Sequence, residues 1–556
     1  MYKFIVKNII AVTFLIFANT AFSNNCVLHL DKAFYATGEK IWYQVYLPKL
    51  LQDKTVAVKG VLVNPDGVVV RRFFHKSKKT NAIDGVLKIP YNFNSGYYKL
   101  LFKVNPKDTK EELVLVEKEI PIYSDFQMQQ YEVEENINEA PAIPALQDDL
   151  NIKLSLNKED FSARDLVNVQ IEVTDKAGNP VDANYSVAVT DASLIQDAMP
   201  QVSTVVRGPA YSNEQMANLN EAIYVIGQVM DTLNEPVKVN VLSAYASEQN
   251  KFHYAKSNND GLFTMDISNF YEEQSLQFVG FPKEIEEIKV RLIPEVNTDN
   301  KPKRVIKINE KIGKYLEYSQ QRKKMAQYFE YLEDNAETQK FVNEVAELKP
   351  DYNYVISEYE KFENVASFFT ELLTPLAFKK VKGRYVASMS NPRAQITALI
   401  KLGGKPLFII DGKVTRDADF IGKINLGNVE EIDLFYIPEN IRRQFKVMGA
   451  HGVVRITTIV PQFELPQNDK EDLFVVNGLQ IPTEFVPFQP TPSNNSKASM
   501  PNYATPVFWS PNNAVENGKG ELNYYQTDDK STFVISVLAQ SKSGKMGFVS
   551  KRYQVK

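Results

Sequence analysis

The sequence predicts a multidomain, mainly β protein in which β-sandwiches follow one another in a string, with a helical insert and one α/β module. The chain has 556 residues, which at about 100–200 residues per domain indicates several domains. Its 28 Tyr and 33 Phe, beside only 11 Met, favour the half-buried surfaces of sheets. Short alternating apolar segments recur about every ten residues between turn residues, which is typical of sandwiches.

The net charge and the few cysteine and histidine residues exclude or disfavour several classes of function. Lys and Arg total 64 against 68 Asp and Glu, a net charge of −4, so there is no basic footprint for nucleic acid. The single cysteine, Cys26, excludes an internal disulfide framework and a cysteine zinc cluster. The four histidines leave little material for a metal site; they are His29, His75, His253 and His451.

The first residues, 1–23, predict a signal peptide. The apolar run 9–18 covers about ten residues, and crossing a bilayer takes about 20. Small residues support cleavage after Ser23, which leaves Cys26 near the new terminus, where we expect it to face solvent. The alternative is a lipid anchor on Cys26, but Asn25 stands where lipoprotein cleavage needs a small residue. We expect an exported protein with no transmembrane segment of its own.

Two β modules are predicted next. The first, 24–125, contains alternating segments and a tight turn at Pro65-Asp66-Gly67. The second, 146–200, follows an acidic linker that contains Pro and Ala, 132–149.

The remaining chain predicts four more segments. A third β module, 221–296, has a hairpin turn at Asp260-Gly261. In 306–350 apolar residues recur at helical spacing among Lys and Glu, which indicates an amphipathic helix or helix pair ended by Pro350. A mixed α/β module follows at 358–462.

The last predicted segment, 470–556, is a C-terminal β module. It contains a linker rich in Pro, Ser and Asn, 482–506, before its alternating strands.

The start of the first module carries a recognisable motif. It resembles the "D-K-x-x-Y-x-P-G-E" signature of macroglobulin-type domains, with Thr37 where proline usually stands. The resemblance implies immunoglobulin-like sandwiches for 24–125 and, by extension, 146–200. The matching residues are Asp31, Lys32, Tyr35, Gly38 and Glu39.

The third module resembles a carboxypeptidase-regulatory-like, transthyretin-like β domain. That resemblance implies an accessory module without peptidase activity. The residues in the family positions are Gly227, Val229, Asp231, Pro236, Val241, Gly261 and Phe263.

The α/β module resembles the plug domain of TonB-dependent outer-membrane receptors, and 506–547 resembles the β module that closes envelope proteins of this composition. Together the matches indicate a bacterial envelope protein with macroglobulin-type, carboxypeptidase-regulatory-like and plug-like domains but no barrel. The plug positions are held by Asp411, Gly412, Ile424, Val429, Ile432, Gly449, Ala450, Gly452, Val453, Ile456 and Thr457.

Two departures limit these resemblances. About a hundred residues follow Thr458, whereas a 22-stranded barrel needs several hundred, so we do not expect a receptor. Cys26 lacks the context of a macroglobulin thioester, so covalent trapping of proteases is not expected.

No catalytic motif is evident in the sequence: there is no G-x-S-x-G elbow, H-E-x-x-H helix or P-loop. The acidic pairs Asp528-Asp529 and Glu430-Glu431 are expected to be a solvated turn and a strand edge. We predict no enzyme, no catalytic residue, no cofactor and no metal. A hydrolase hidden in a β module stays open as a third hypothesis.

These observations predict a non-enzymatic envelope scaffold or adaptor, periplasmic or peripherally associated with the outer membrane. Its expected partners are outer-membrane β-barrel proteins or their assembly and transport complexes, bound through the plug-like and macroglobulin-like domains, including by pairing at exposed strand edges. The alternative is a thioester-free macroglobulin-like module that binds proteases or other envelope ligands.

Overall fold

The computed structural model confirms a multidomain, mainly β protein. The predicted signal peptide, most of the linker 132–149 and part of the linker 482–506 lie outside the described residues. No helix in the described ranges is long and apolar enough to cross a membrane. Those ranges are 25–107, 109, 111–132, 149–199, 203–280, 288–293, 304–328, 336–372, 374–392, 400–461, 463–466, 473–490 and 501–556.

The first module is a sandwich of two sheets. One sheet contains β1, β3 and β6, and the other has the order β2-β8-β7-β4-β5. Residues such as Val45 and Leu100 alternate into the space between the sheets and are fully buried. The elements are β1 (Asn25–Leu30), β2 (Tyr35–Ala36), β3 (Lys40–Tyr46), helix α1 (Lys49–Gln52), β4 (Thr55–Val63), β5 (Val69–Lys78), β6 (Ala82–Lys88), β7 (Gly96–Val104) and β8 (Leu113–Tyr123).

Cys26 lies inside this sandwich and not in solvent. It is 1% exposed, within the main hydrophobic cluster, and burial raises the pKa of its thiol far above the ordinary value. The expectation of an exposed Cys26 is therefore wrong, because β1 begins at Asn25 and takes the cysteine into the core.

The next segment contributes strands to two different sandwiches. Strand β13 returns to the first module and pairs antiparallel with β1, which gives the sheet order β13-β1-β3-β6. Gly208 permits this return, because a Cβ at its position would collide with the Leu115 carbonyl of β8. The strands are β9 (Leu150–Leu156), β10 (Asp160–Phe161), β11 (Leu166–Asp175), β12 (Ala183–Asp191) and β13 (Val205–Ala210).

The third module packs a sheet of order β17-β14-β19 against a second sheet that contains β16, β15 and β18. Gly227 lies opposite Phe263 in the β14–β17 pair, and a Cβ there would crowd the Phe263 ring. The strands are β14 (Ile223–Met230), β15 (Leu242–Ala246), β16 (Lys251–Ala255), β17 (Leu262–Ile267), β18 (Glu273–Gly280) and β19 (Lys289–Leu292).

The predicted helical insert is helical only in its first half. Helix α2 (Glu310–Tyr328) is followed, after residues outside the described ranges, by β20 (Ala336–Thr338) and an extended segment. The prediction of helix up to Pro350 is therefore corrected. The extended segment is held by neighbours instead, since the Phe341 ring stacks on Tyr271 at 4.2 Å and Leu348 enters a hydrophobic cluster.

The α/β module has a five-stranded sheet of order β21-β27-β28-β25-β26, in which only β25 and β28 are parallel neighbours. A smaller sheet, β22-β23-β24, lies beside it. The elements are β21 (Tyr352–Val355), α3 (Val365–Glu371), β22 (Leu376–Val381), β23 (Arg384–Asn391), β24 (Ile400–Lys401), β25 (Leu407–Ile410), β26 (Lys413–Thr415), α4 (Ala418–Gly422), β27 (Val429–Phe435), α5 (Pro438–Phe445) and β28 (Val453–Thr458).

The C-terminal segment returns to modules formed earlier in the chain. Strand β29 extends the third module's sheet by pairing with β18, and β30 pairs with β20. The strands are β29 (Leu473–Asn477), β30 (Thr483–Phe485), β31 (Phe508–Val515), β32 (Lys519–Tyr525), β33 (Thr532–Ser541) and β34 (Met546–Val555).

The second sandwich is composite. Its sheets have the orders β10-β34-β33-β12-β31 and β32-β11-β9, so strands from 150–191 and from 508–555 are interleaved within them. Strands from the two predicted modules, 146–200 and 470–556, therefore form one sandwich and not two separate ones. The physical reason is that β11 and β12 each need neighbours on both sides, and β31–β33 supply them.

Candidate interaction site

The macroglobulin-type motif forms a buried ionic cluster, here called the Glu39 cluster, made of Lys32, Glu39, Tyr315 and Arg322. Glu39 accepts hydrogen bonds from Lys32 Nζ at 2.8 Å, Arg322 Nη2 at 2.8 Å and Tyr315 Oη at 2.6 Å. Burial alone raises the pKa of Glu39, but the two cations outweigh it and hold the pKa at about 2. The motif therefore binds helix α2 to the first sandwich through a shared carboxylate.

Asp31 organises the loop of the same motif. Its Oδ1 accepts hydrogen bonds from Tyr35 Oη at 2.6 Å and from the Trp42 backbone N–H at 2.9 Å. Burial is the main cause that raises the pKa of Asp31 to about 6. Gly38, at φ 85°, completes the turn that places Glu39 below the helix.

Helix α2 also contacts the composite sandwich. Tyr318 Oη donates to Asp529, and burial raises the pKa of that carboxyl to about 6. Asp528 pairs with Arg164 at 2.7 Å. The expectation of a solvated Asp528-Asp529 turn is thus wrong, because both carboxylates hold neighbouring segments in place.

The two sandwiches also meet directly. Trp42 and Trp509 share one buried cluster, and His29 Nδ1 lies 2.7 Å from Ser186 Oγ across the interface. His29 and Ser186 are both fully buried, and burial lowers the pKa of His29 to about 3. A substrate cannot reach this Ser–His pair, so its contact stabilises the interface.

Two of the other three histidines also have local structural partners, His75 and His451. His75 Nε2 bonds Tyr43 Oη at 2.7 Å, and burial lowers the pKa of His75 to about 4. His451 Nδ1 lies 3.1 Å from the Leu402 carbonyl. The described residues contain no group of three or more His, Cys, Asp or Glu side chains placed to hold a metal ion.

The motif of the α/β module assembles around the parallel pair β25–β28. Asp411 and Gly412 form the turn after β25, both at positive φ, 45° and 78°. Asp411 accepts hydrogen bonds from the Thr458 N–H at 3.0 Å and the Thr458 hydroxyl at 2.7 Å. The two halves of the motif, about 45 residues apart in sequence, are thus joined where the neighbouring strands β25 and β28 end.

The acidic pair in this module divides between two environments. Glu430 is exposed, whereas Glu431 accepts hydrogen bonds from Asn353 and Thr457, both at 3.2 Å. Arg455 lies 3.8 Å from Glu431 and bonds Asp433 through its Nε at 2.7 Å. Glu431 therefore belongs to a polar ladder across β21, β27 and β28.

The two edges of the five-stranded sheet differ in accessibility. At β26 the Gln277 side chain of the third module bonds the Val414 carbonyl at 2.6 Å and the Val414 N–H at 2.7 Å, so this edge is capped. At β21 no further strand pairs with the outer side in the described part of the chain. Tyr352 and Val355 on β21 are 48% and 38% exposed.

A basic hairpin extends from the same module. Strands β22 and β23 are joined by a turn at Lys382 and Gly383, both at positive φ. Val381 and Val386 are 52% and 44% exposed on this hairpin. The outer side of β21, with Tyr352 and Val355, is here called the edge surface and is the candidate interaction site of the α/β module.

Sequence reasoning missed two contacts that join the modules to one another. Arg322 lies on the buried stripe of α2, and its spacing from Ile312 and Tyr315 is the signal that could have found it. The contact between Gln277 and β26 could not be predicted from the sequence, because a glutamine in a strand is ordinarily a surface residue.

Comparison with solved structures finds neighbours that include three structures of one bacterial protein. No protein-family model matches the chain, and no curated protein matches it. The crystal structure of trypsin-activated alpha-2-macroglobulin from Escherichia coli shares 8% sequence identity with this chain. The alignment covers 96% of this chain and 42% of that chain, with a TM-score of 0.23. The native conformation of the same protein shares 9% identity, and its alignment covers 97% of this chain and 40% of that chain, also with a TM-score of 0.23.

The elastase-activated form of the same protein is 9% identical, covering 96% of this chain and 43% of that chain at a TM-score of 0.23. This chain thus spans less than half the length of each neighbour. The assignment of this chain to the multidomain, mainly β class is based on the sheets of its own structure.

Proposed function

We propose that this protein is a non-enzymatic envelope scaffold or adaptor that docks onto outer-membrane β-barrel proteins or their assembly and transport complexes. The observation that carries the proposal is the open edge of β21 in the plug-like module. An unpaired edge offers backbone N–H and C=O groups to an added strand, while exposed side chains select the partner.

Tyr352 and Val355 supply apolar area at this edge, and Tyr354 anchors the strand from below. The Tyr354 ring contacts Phe368 and Phe369 of α3, with both centroids at 5.6 Å. Because the edge strand is held by its own core, it is ordered before a partner arrives, which reduces the entropic cost of docking.

The rest of the molecule supports a scaffold role. The Glu39 cluster, the Trp42–Trp509 contact and strands contributed from distant parts of the chain lock the modules to one another. A rigid assembly of this kind presents the edge surface at a fixed orientation.

The test is affinity purification of the tagged full chain from crosslinked native envelopes, followed by mass spectrometry. We expect a barrel protein in defined stoichiometry, with recovery reduced about tenfold by the double variant Tyr352→Lys, Val355→Lys, since charged edge residues oppose strand addition. Val68→Lys, at an exposed valine of the first sandwich, is the matched control.

Recovery of the free monomer alone, or equal recovery with the double variant, contradicts this proposal. Recovery of a protease instead of a barrel protein supports the alternative function, a thioester-free macroglobulin-like module that binds proteases.

A further inference from the structure

A second candidate site lies between three modules, away from the edge surface. It is a cleft of about 740 Å³, here called the basic cleft, between β5 of the first sandwich, the third module and α5 of the α/β module. Its volume falls within the roughly 300–1,000 Å³ typical of small-ligand sites.

Positive charge dominates the described residues that line the basic cleft. Five cations face two carboxylates, Glu344 and Glu347. Among these groups Lys349 pairs with Glu347 at 3.5 Å, between side chains that are 67% and 79% exposed. The cations are Lys76, Lys251, Lys349, Arg443 and Lys446.

The walls of the cleft are fixed by hydrogen bonds. Gln444 of α5 accepts from the Lys349 N–H at 2.7 Å and donates to the Lys349 carbonyl at 2.9 Å. On the opposite side, the Ala346 N–H donates to the Gln249 carbonyl at 3.0 Å. The extended segment 344–349 thus ties the third module to the α/β module, so the cleft is already formed.

Lys446 is held in an unfavourable backbone conformation at the rim. Its φ is 48° and its ψ is −131°, a combination that favours glycine. Its ammonium lies 5.1 Å from the centroid of the Tyr254 ring, and Tyr254 Oη donates to the Phe445 carbonyl at 2.8 Å. The strained backbone keeps this cation at the cleft, and such strain concentrates at ligand-binding positions.

We propose that the basic cleft binds a compact molecule that carries two phosphate groups, either as a soluble molecule or as a lipid headgroup. A phosphate group concentrates one or two negative charges on one centre, so two of them offset the cationic excess within this volume. Arg443 supplies a planar fork suited to phosphate oxygens, and the lysines supply point charges.

The soluble arm of the test is calorimetric titration of the full chain with fructose 1,6-bisphosphate. We expect saturable binding that weakens about tenfold in Lys251→Gln and in Arg443→Gln, because each removes one charge-assisted hydrogen bond. Lys530→Gln, at an exposed lysine outside the cleft, is the control and leaves the affinity unchanged.

The lipid arm is cosedimentation with phosphatidylcholine vesicles that contain cardiolipin, whose headgroup is a glycerol esterified by two phosphates. Binding to these vesicles that is lost in the same variants supports the lipid source. The proposal is overturned if the protein binds in neither arm, or if wild type and both variants bind equally. It is also overturned if the protein binds polyglutamate but neither phosphate probe.

Lys446→Gly separates the cleft's function from the stability of the fold. Glycine relieves the positive φ, so we expect a higher midpoint of thermal unfolding together with about tenfold weaker binding of fructose 1,6-bisphosphate. A purely structural role for Lys446 predicts the first change without the second, and that result would also overturn the assignment.

Discussion

Replacing Glu39 by Gln tests whether the macroglobulin-type motif holds helix α2 in place. The carboxylate is shared by Lys32 and Arg322, whose side chains are 0% and 3% exposed. Removing one partner of a buried ion pair costs about 3–5 kcal/mol, because the remaining charge stays desolvated. Since two buried cations lose this carboxylate, we expect Glu39→Gln to lower the free energy of unfolding by about 5 kcal/mol.

The chain carries its own probe for this experiment. Its 2 tryptophans, Trp42 and Trp509, lie in one cluster between the two sandwiches that α2 also contacts. Urea unfolding followed by tryptophan fluorescence therefore reports the separation of the sandwiches. Glu117→Gln is the matched control, since its pair with Lys99 at 3.4 Å is 44% and 43% exposed and contributes about 0–1 kcal/mol.

The pH dependence gives an independent check. The pKa of Glu39 is held at about 2, below its ordinary value of 4.5, so its ionised form stabilises the folded state above pH 4.5. That stabilisation is lost as pH falls from about 4.5 towards 2. The difference in stability between wild type and Glu39→Gln should shrink over this window.

An unfolding free energy for Glu39→Gln within about 1 kcal/mol of wild type at pH 7 would refute the reasoning. A double-mutant cycle with Arg322→Gln adds a second criterion. Additive effects of the two substitutions would show that the guanidinium and the carboxylate are not coupled.

Three further predictions concern single contacts. Gly38→Ala should destabilise more than the control Gly178→Ala, since both have positive φ, 85° and 86°, but only Gly38 lies against Tyr91; thermal unfolding measures the difference. Gln277→Ala should remove both caps on β26 and increase hydrogen exchange at Val414, with unchanged exchange counting against a capped edge. Burial raises the pKa of Asp529 from 3.8 to about 6, so its ionisation destabilises the fold as pH rises through that range. Asp529→Asn should therefore be up to about 3 kcal/mol more stable than wild type at pH 7 and gain nothing below pH 3.8; equal stability at both pH values contradicts this.

Local patterns predict many elements because their causes are local. The Asp411-Gly412 turn follows from the need for positive φ, and the alternation of buried and more exposed residues in β11 follows from the two faces of a strand. The helical spacing predicts α2 because Ile312, Leu316 and Ser319 lie on one buried face.

The errors have a common physical origin, which is contact between residues far apart in sequence. The segment 339–350 has helical spacing, but β20 pairs with β30 and Phe341 packs on Tyr271 instead. Asp529 has the sequence features of a solvated turn, yet it accepts a hydrogen bond from Tyr318, which lies 211 positions away.

By itself, the sequence determined a mainly β, multidomain chain, the turns that need glycine and the apolar faces of its strands and helix, since these depend on neighbours within a few residues. Only the tertiary structure decided that strands β9–β12 and β31–β34 build one composite sandwich and that Glu39 is shared by two buried cations. It also decided that one edge of the α/β sheet is capped while the other is open. The physical reason is that backbone periodicity specifies which face of an element is buried, whereas the partner that covers it is chosen by packing across the whole chain.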